Sequence, residues 1–144
     1  MNKLAIVPLP CLSASFRRAA RVLTQRYETA LRPLGLRGTQ FTVLQALSLT
    51  GEVSQGMLGE ILAIDSTTLT RTLAIMERRG WIASRSGEDH RERLLSLSKA
   101  GRAQFNRALP RWEKVQQKLR AQFGNKRWNE LLNLTNEVTA KVTE

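Results

Sequence analysis

"DSTTLTRTLAIMERRG", residues 65–80, has the apolar spacing of a helix, with Leu69, Leu73 and Met76 at i, i+4 and i+7 facing inward. Its first two turns are nevertheless crowded with Ser66, Thr67, Thr68, Thr70 and Thr72. Such residues are poor helix interiors, because β-branched Thr loses side-chain freedom and hydroxyls compete for backbone partners. Local propensity is given up here for a fringe of short hydrogen-bonding groups. Asp65 is the expected N-cap and Gly80 the expected stop. Arg78 and Arg79 suit the negative end of the helix dipole.

Upstream, Ser54 caps a short helix, "QGMLGEILA" (55–63), expected to bury Leu58, Ile61 and Leu62, with a tight turn at Ala63–Ile64. Downstream, "WIASRS" (81–86) and "RLLSLS" (93–98) read as extended runs joined by the polar tip "GEDHRE" (87–92). The centre of the chain is therefore a helix–turn–helix followed by a two-stranded wing. A first amphipathic helix is expected from Ser13 to about Leu34, with Phe16, Leu23, Tyr27 and Leu31 in its stripe. Pro33, Gly35 and Gly38 end it, and Thr39 is the expected N-cap of a second helix carrying Phe41, Val43, Leu44 and Leu47. "LTGEVS" (49–54) is a break with a short strand at Val53. From Lys99 a long helix runs to about Gln122, with Pro110 as an expected kink. A last helix after Gly124 carries Trp128, Leu131, Leu134, Val138 and Val142. The fold class is mainly α with a small β-wing: a winged helix–turn–helix lobe at 39–98 and a helical dimerisation region at 12–36 and 99–142.

The 144 residues fit one domain, 1–144. Charge narrows the function: 23 Lys+Arg against 12 Asp+Glu give +11, and 17 of the 23 are Arg. Arg makes forked bonds to phosphate and guanine edges, which leans towards nucleic acid. The lone Cys11 excludes an internal disulfide, and the lone His90 argues against a metal site. No nucleophile–base pair supports catalysis. The initial apolar run is short and broken by Pro8 and Pro10, and no stretch approaches a membrane span, so a cytoplasmic protein without cofactor or metal is expected.

In a helix–turn–helix the start of the second helix enters the DNA major groove. Ser66, Thr67, Thr68 and Thr70 suit that position, because hydroxyls reach phosphates and bases while Thr methyls pack on thymine. Arg71 is long enough for a base edge, and Arg78 sits where backbone contact or solvation is expected. At the wing tip an Asp89–Arg91 pair would brace the turn and project Arg91 into the minor groove. Arg85 and Arg93 are candidates for phosphate. The alternatives are an N-terminus merely decorated with hydroxyls and a solvated charged hairpin.

The stretch "GEVSQGMLGEILAIDSTTLTRTLAIMERRGWIASRSGEDHRERLLSLSKAGR" (51–102) resembles the winged helix–turn–helix core of MarR-type transcriptional regulators. The pieces that carry the likeness are "STTLTRTL…MERRGWI" and Asp89-x-Arg91…Leu95-x-Leu97-Ser98-x-x-Gly101. The likeness extends over about 12–142. It implies an obligate homodimer with interlocked terminal helices, acting as a repressor on a pseudo-palindromic duplex operator, with recognition helices ~34 Å apart. Independently, the terminal helices carry more apolar surface than one chain can obviously cover.

The resemblance further implies release by a small aromatic acid, with Arg18, Tyr27 and Phe41 placed like the residues lining that cleft in related regulators. Surface Arg and core aromatics are the plain alternative. It also raises a redox-responsive variant acting through Cys11, since peroxide-sensing members carry a reactive cysteine near the start of the first helix. There Ser13 lines up better than Cys11, and of the two tyrosine positions Tyr27 matches one while Gly38 stands at the other. A reading of a different class is a sequence-indifferent basic nucleic-acid-binding protein.

Overall fold

The computed structural model describes residues 6–143. The chain forms α1 (Leu12–Leu31), a single 3-10 turn (Arg32–Leu34), α2 (Gly38–Thr50), β1 (Val53–Ser54), α3 (Gln55–Leu62) and α4 (Ser66–Arg78). There follow β2 (Ile82–Ser86), β3 (Arg93–Leu97), α5 (Lys99–Phe123) and α6 (Asn125–Val142). The three strands make an antiparallel sheet ordered β1-β3-β2. Val53 pairs with Leu95 and Ile82 with Leu97, so the expected hairpin acquires a third, two-residue strand from the break before α3.

Leu31, Leu44, Leu58, Leu73, Met76 and Leu95 come from five different elements and are fully buried together. Each such side chain contributes roughly 1.5–3 kcal/mol relative to exposure, which is what clamps α4 and the wing onto α2 and α5. Leu119 and Trp128 are buried separately, where α5 and α6 meet, and the Arg120 guanidinium lies 5.8 Å from the Trp128 ring centroid.

Two local expectations are corrected. Thr39 does not cap α2: the helix starts at Gly38, with the Arg37 amide donating to Gln40 Oε1 at 2.9 Å and the Gly38 amide to Glu28 Oε1 at 2.7 Å. A carboxylate from α1 satisfies the orphan amide of Gly38, and the Phe41 amide bonds to the Arg37 carbonyl instead of to a Thr39 cap. Ile61 is 47% exposed, because the eight-residue α3 turns only Leu58 fully into the core. Pro110 lies inside a continuous α5, one residue before Arg111, whose side chain reaches the Ala30 carbonyl at 3.4 Å.

Candidate nucleic-acid interface

Asp65 caps α4 as its residue type demands, accepting from the Thr68 amide at 2.9 Å and the Thr68 hydroxyl at 2.6 Å. Leu69, Leu73 and Met76 are buried, so the opposite face is fixed outward by packing alone. Ser66, Thr67, Thr70 and Arg71 lie exposed on it. Thr68 is exposed too, but its hydroxyl proton belongs to the cap, which leaves its oxygen and methyl for any outside partner. Thr70 accepts from Gln55 Nε2 at 3.1 Å, a bond from the first residue of α3.

At the far end of α4, Arg78 is exposed. Arg79 instead turns back: it donates to the Gly35 carbonyl at 2.8 Å and lies 5.0 Å from the Trp81 ring centroid. It ties the end of α4 to the loop after α1.

The expected Asp89–Arg91 brace is present at the wing tip, made through the backbone. Asp89 Oδ1 accepts from the Arg91 backbone amide at 3.1 Å, not from the guanidinium. The Glu92 amide donates to the Asp89 carbonyl at 2.8 Å and the Gly87 amide to the Glu92 carbonyl at 2.9 Å, closing the turn. The Arg91 side chain is exposed, and among the described residues no carboxylate pairs with it.

Arg85 and Arg93, the candidates for phosphate contact, are engaged within the fold. Arg85 makes a forked pair with Glu52, its Nε donating to Oε2 at 2.8 Å. Arg93 donates to Glu77 on α4, to Gln55 Oε1 at 3.3 Å and to Ser84 Oγ at 3.4 Å. One guanidinium thus joins the wing to both helices of the helix–turn–helix. Sequence reading missed Glu52, Gln55 and Glu77, which meet their partners across 33, 38 and 16 residues of chain. No local spacing marks such pairs.

The three candidate effector residues are not brought together. Arg18 donates to the Val7 carbonyl at 2.8 Å, pinning the segment before α1. Tyr27 donates to Gln116 Oε1 on α5, and burial pushes its phenol above the usual value. Phe41 is 4% exposed in an aromatic cluster, 5.6 Å from Phe105 and 5.9 Å from Trp112 between ring centroids. A cleft of about 640 Å³ opens elsewhere, between α1 and α5, with Arg26, Arg111, Lys114 and Lys118 around Ala30 and Val115. Cys11 is exposed at the N-cap of α1, its Sγ 3.5 Å from the Ala14 amide, while Ser13 Oγ accepts from Arg17 at 2.5 Å. Among the described residues no cluster of His, Cys, Asp and Glu could hold a metal, and no helix is long and apolar enough to cross a membrane.

Known proteins bear on this arrangement directly. The profile of the MarR family matches residues 34–92. An uncharacterised HTH-type transcriptional regulator of Bacillus subtilis, YwoH, is 31% identical over 106 residues, 74% of this chain and 77% of its own. The organic hydroperoxide resistance transcriptional regulator of the same organism is 36% identical over 84 residues, 58% of this chain and 57% of its own. The transcriptional regulator MosR of M. tuberculosis, solved in complex with DNA, superposes with a TM-score of 0.78 at 36% identity, covering 90% of this chain and 97% of its own. Sequence and fold are thus shared with regulators of one kind, and the chain belongs to the MarR family of transcriptional regulators.

Proposed function

We propose that this regulator is a homodimeric, non-catalytic repressor acting in the cytoplasm on a pseudo-palindromic duplex operator. The observation that carries the reading is the outward face of α4, where Ser66, Thr67, Thr70 and Arg71 stand exposed on a helix whose other side is locked into the core. In this reading 39–98 form the DNA-binding lobe and 12–36 with 99–142 the dimerisation region. Ser66, Thr67, Thr68 and Thr70 line the major groove, Arg71 reaches a base edge and Arg91 enters the minor groove. Arg78 contacts backbone. Arg85, Asp89 and Arg93 act chiefly by holding the wing, with phosphate contact secondary for the two arginines. The wet, basic interface makes affinity fall steeply with salt.

Two copies are needed because α1 and α6 leave apolar side chains uncovered in the single chain, among them Phe16, Leu23, Leu131 and Leu134. Release by a small aromatic acid is supported by the basic cleft between α1 and α5, whose cations suit a carboxylate and whose apolar floor suits a ring. The Arg18, Tyr27 and Phe41 set supports it less, since those side chains are already engaged.

Selection of bound duplexes from a random pool tests the reading. A single inverted-repeat consensus that resists competition by excess random duplex is the expected result. Equal competition by any duplex would establish the sequence-indifferent alternative instead. A redox-responsive variant is favoured by the exposed Cys11 and by the likeness to the hydroperoxide resistance regulator. Under it, Cys11→Ser abolishes peroxide-induced release from the selected operator; an unchanged response removes Cys11 as sensor.

A further inference from the structure

Several threonines elsewhere in the helices, though not Thr24 or Thr39, turn their hydroxyls back on their own backbone. Thr29, Thr42, Thr50 and Thr139 each donate to the carbonyl four residues earlier, at 2.8–3.2 Å. On α4 this habit is absent: Thr67, Thr70 and Thr72 make no such bond among the described residues, and Thr68 donates to the cap. Thr70 is the one whose environment also fixes the direction of its hydrogen bond.

The fixing runs through Gln55. Arg93 approaches one end of the Gln55 amide at 3.3 Å, and a guanidinium can only donate. That end is therefore the carbonyl oxygen, which settles the orientation that a side-chain amide otherwise leaves open. The other end is the NH2 group, which can only donate, and it meets Thr70 Oγ1 at 3.1 Å. Thr70 oxygen must accept there, so its single hydroxyl proton points elsewhere. Arg93 is itself anchored by Glu77 on α4, which keeps the polarity of the chain from reversing.

We propose that Gln55 is a positioning residue that occupies one of the two acceptor sites of Thr70 and turns its hydroxyl proton outward, so that this point of the surface favours an acceptor on DNA. The acceptor is guanine O6 or N7, adenine N7, thymine O4 or a phosphate oxygen; the cytosine amino group, a donor, is disfavoured because it would have to compete for the one lone pair that Gln55 leaves. The inference rests on the DNA-binding reading above and adds to it a direction of recognition. No base-contacting role for Gln55 is needed, because it acts through the threonine.

A double-mutant cycle on the full chain tests it, using the consensus duplex from the random pool and its single-base variants. Thr70→Val should weaken consensus binding about tenfold, within the range of one specific base contact. It should also flatten preference at one position per half-site if the acceptor is a base, or weaken all duplexes equally if it is phosphate. Gln55→Leu keeps the Thr70 hydroxyl but frees its direction, so it should flatten preference at the same position with a smaller loss of affinity, and cost nothing further in the Thr70→Val background. Thr70→Ser, which keeps the hydroxyl, should restore the parental pattern. Should Gln55→Leu lower the unfolding midpoint, Gln55→Ala replaces it in the cycle. The proposal is overturned if the two substitutions are additive, or if Thr70→Val binds every duplex like the parent. It is equally overturned if the Thr70-dependent position selects cytosine. Absence of any consensus would remove the DNA-reading hypothesis itself, a failure distinguishable because no duplex would then be preferred by the parent.

Discussion

Gly101, in the first turn of α5, lies against the backbone of Trp81. A Cβ placed on Gly101 would overlap the Trp81 carbonyl oxygen and sit 2.9 Å from its carbonyl carbon. The junction is held by Ser98, whose amide donates to that same Trp81 oxygen at 3.1 Å and whose hydroxyl accepts from the Gly101 amide at 3.0 Å. Gly101→Ala must push two backbones apart, and overpacking of this kind costs about 2–3 kcal/mol. Gly56, in α3, is the control: a Cβ there meets nothing within 4 Å, so Gly56→Ala should stabilise by about 0.5–1 kcal/mol. Urea unfolding at fixed protein concentration measures both. Equal midpoints for the two variants would contradict the close approach.

Arg71 and Arg91 should fail differently. Arg71→Ala removes a long donor from the exposed face of α4 proposed to enter the major groove, so it should cost about 1–3 kcal/mol of operator affinity and relax base preference within each half-site. Arg91→Ala removes an unpaired cation from the wing tip; affinity should fall with little change in major-groove preference, because the minor groove encodes less sequence. Fluorescence anisotropy on the consensus and its single-base variants separates the two patterns. Parental binding by both variants would show that these contacts are misassigned.

Acid should loosen the start of α4. The hydroxyl of Thr68 and then its amide hold the Asp65 carboxyl below the ordinary aspartate value of about 3.8. The folded chain binds this proton less readily than the unfolded chain. The stabilisation is therefore fully present above that ordinary value and is lost as pH falls through the lower folded one. Glu52 is lowered in the same sense by its hydrogen bond from Arg85. In a carbon-detected titration Asp65 should move below 3.8, and Asp65→Asn should cap α4 without acid dependence. Asp65→Ala should leave the first α4 amides exchanging fast at every pH. An Asp65 midpoint at or above the ordinary value would refute the cap's role.

What could be read from the sequence follows from the range of the forces involved. The stripe Leu69, Leu73, Met76, the caps Asp65 and Ser54, and the Gly80 stop are set within one or two turns, and each stands where its spacing indicated. Thr39 misled because the cap of α2 comes from Gln40 and from Glu28 on another helix, and only the second of these is invisible locally. The carboxylate partners of Arg85 and Arg93 are hidden for the same reason, since a basic side chain looks free until its distant carboxylate is placed beside it. Phe41, Tyr27 and Arg18 share a general region by likeness to other regulators. Rotamer and packing then send them to an aromatic core, to α5 and to the Val7 carbonyl.

The uncovered side of α6 offers the sharpest test of assembly. Leu131 and Leu134 are 42% and 56% exposed in a helix that buries only Trp128, while Phe16 and Leu23 stand similarly open on α1. Leaving such rows in water is unfavourable by roughly 25 cal/mol for each Å² of apolar surface that a partner could cover. Leu131→Glu combined with Leu134→Glu places two like charges in that row without touching the main core. The variant should sediment as a monomer while keeping the sheet and the α2–α5 packing, visible as preserved dispersion of the Leu95 and Met76 methyl resonances. Operator affinity should fall roughly 10²–10⁴-fold, because each lobe then binds its half-site alone. A variant that remains dimeric and binds like the parent would mean that these leucines face solvent in the assembled regulator, and the interface would have to be sought on another face.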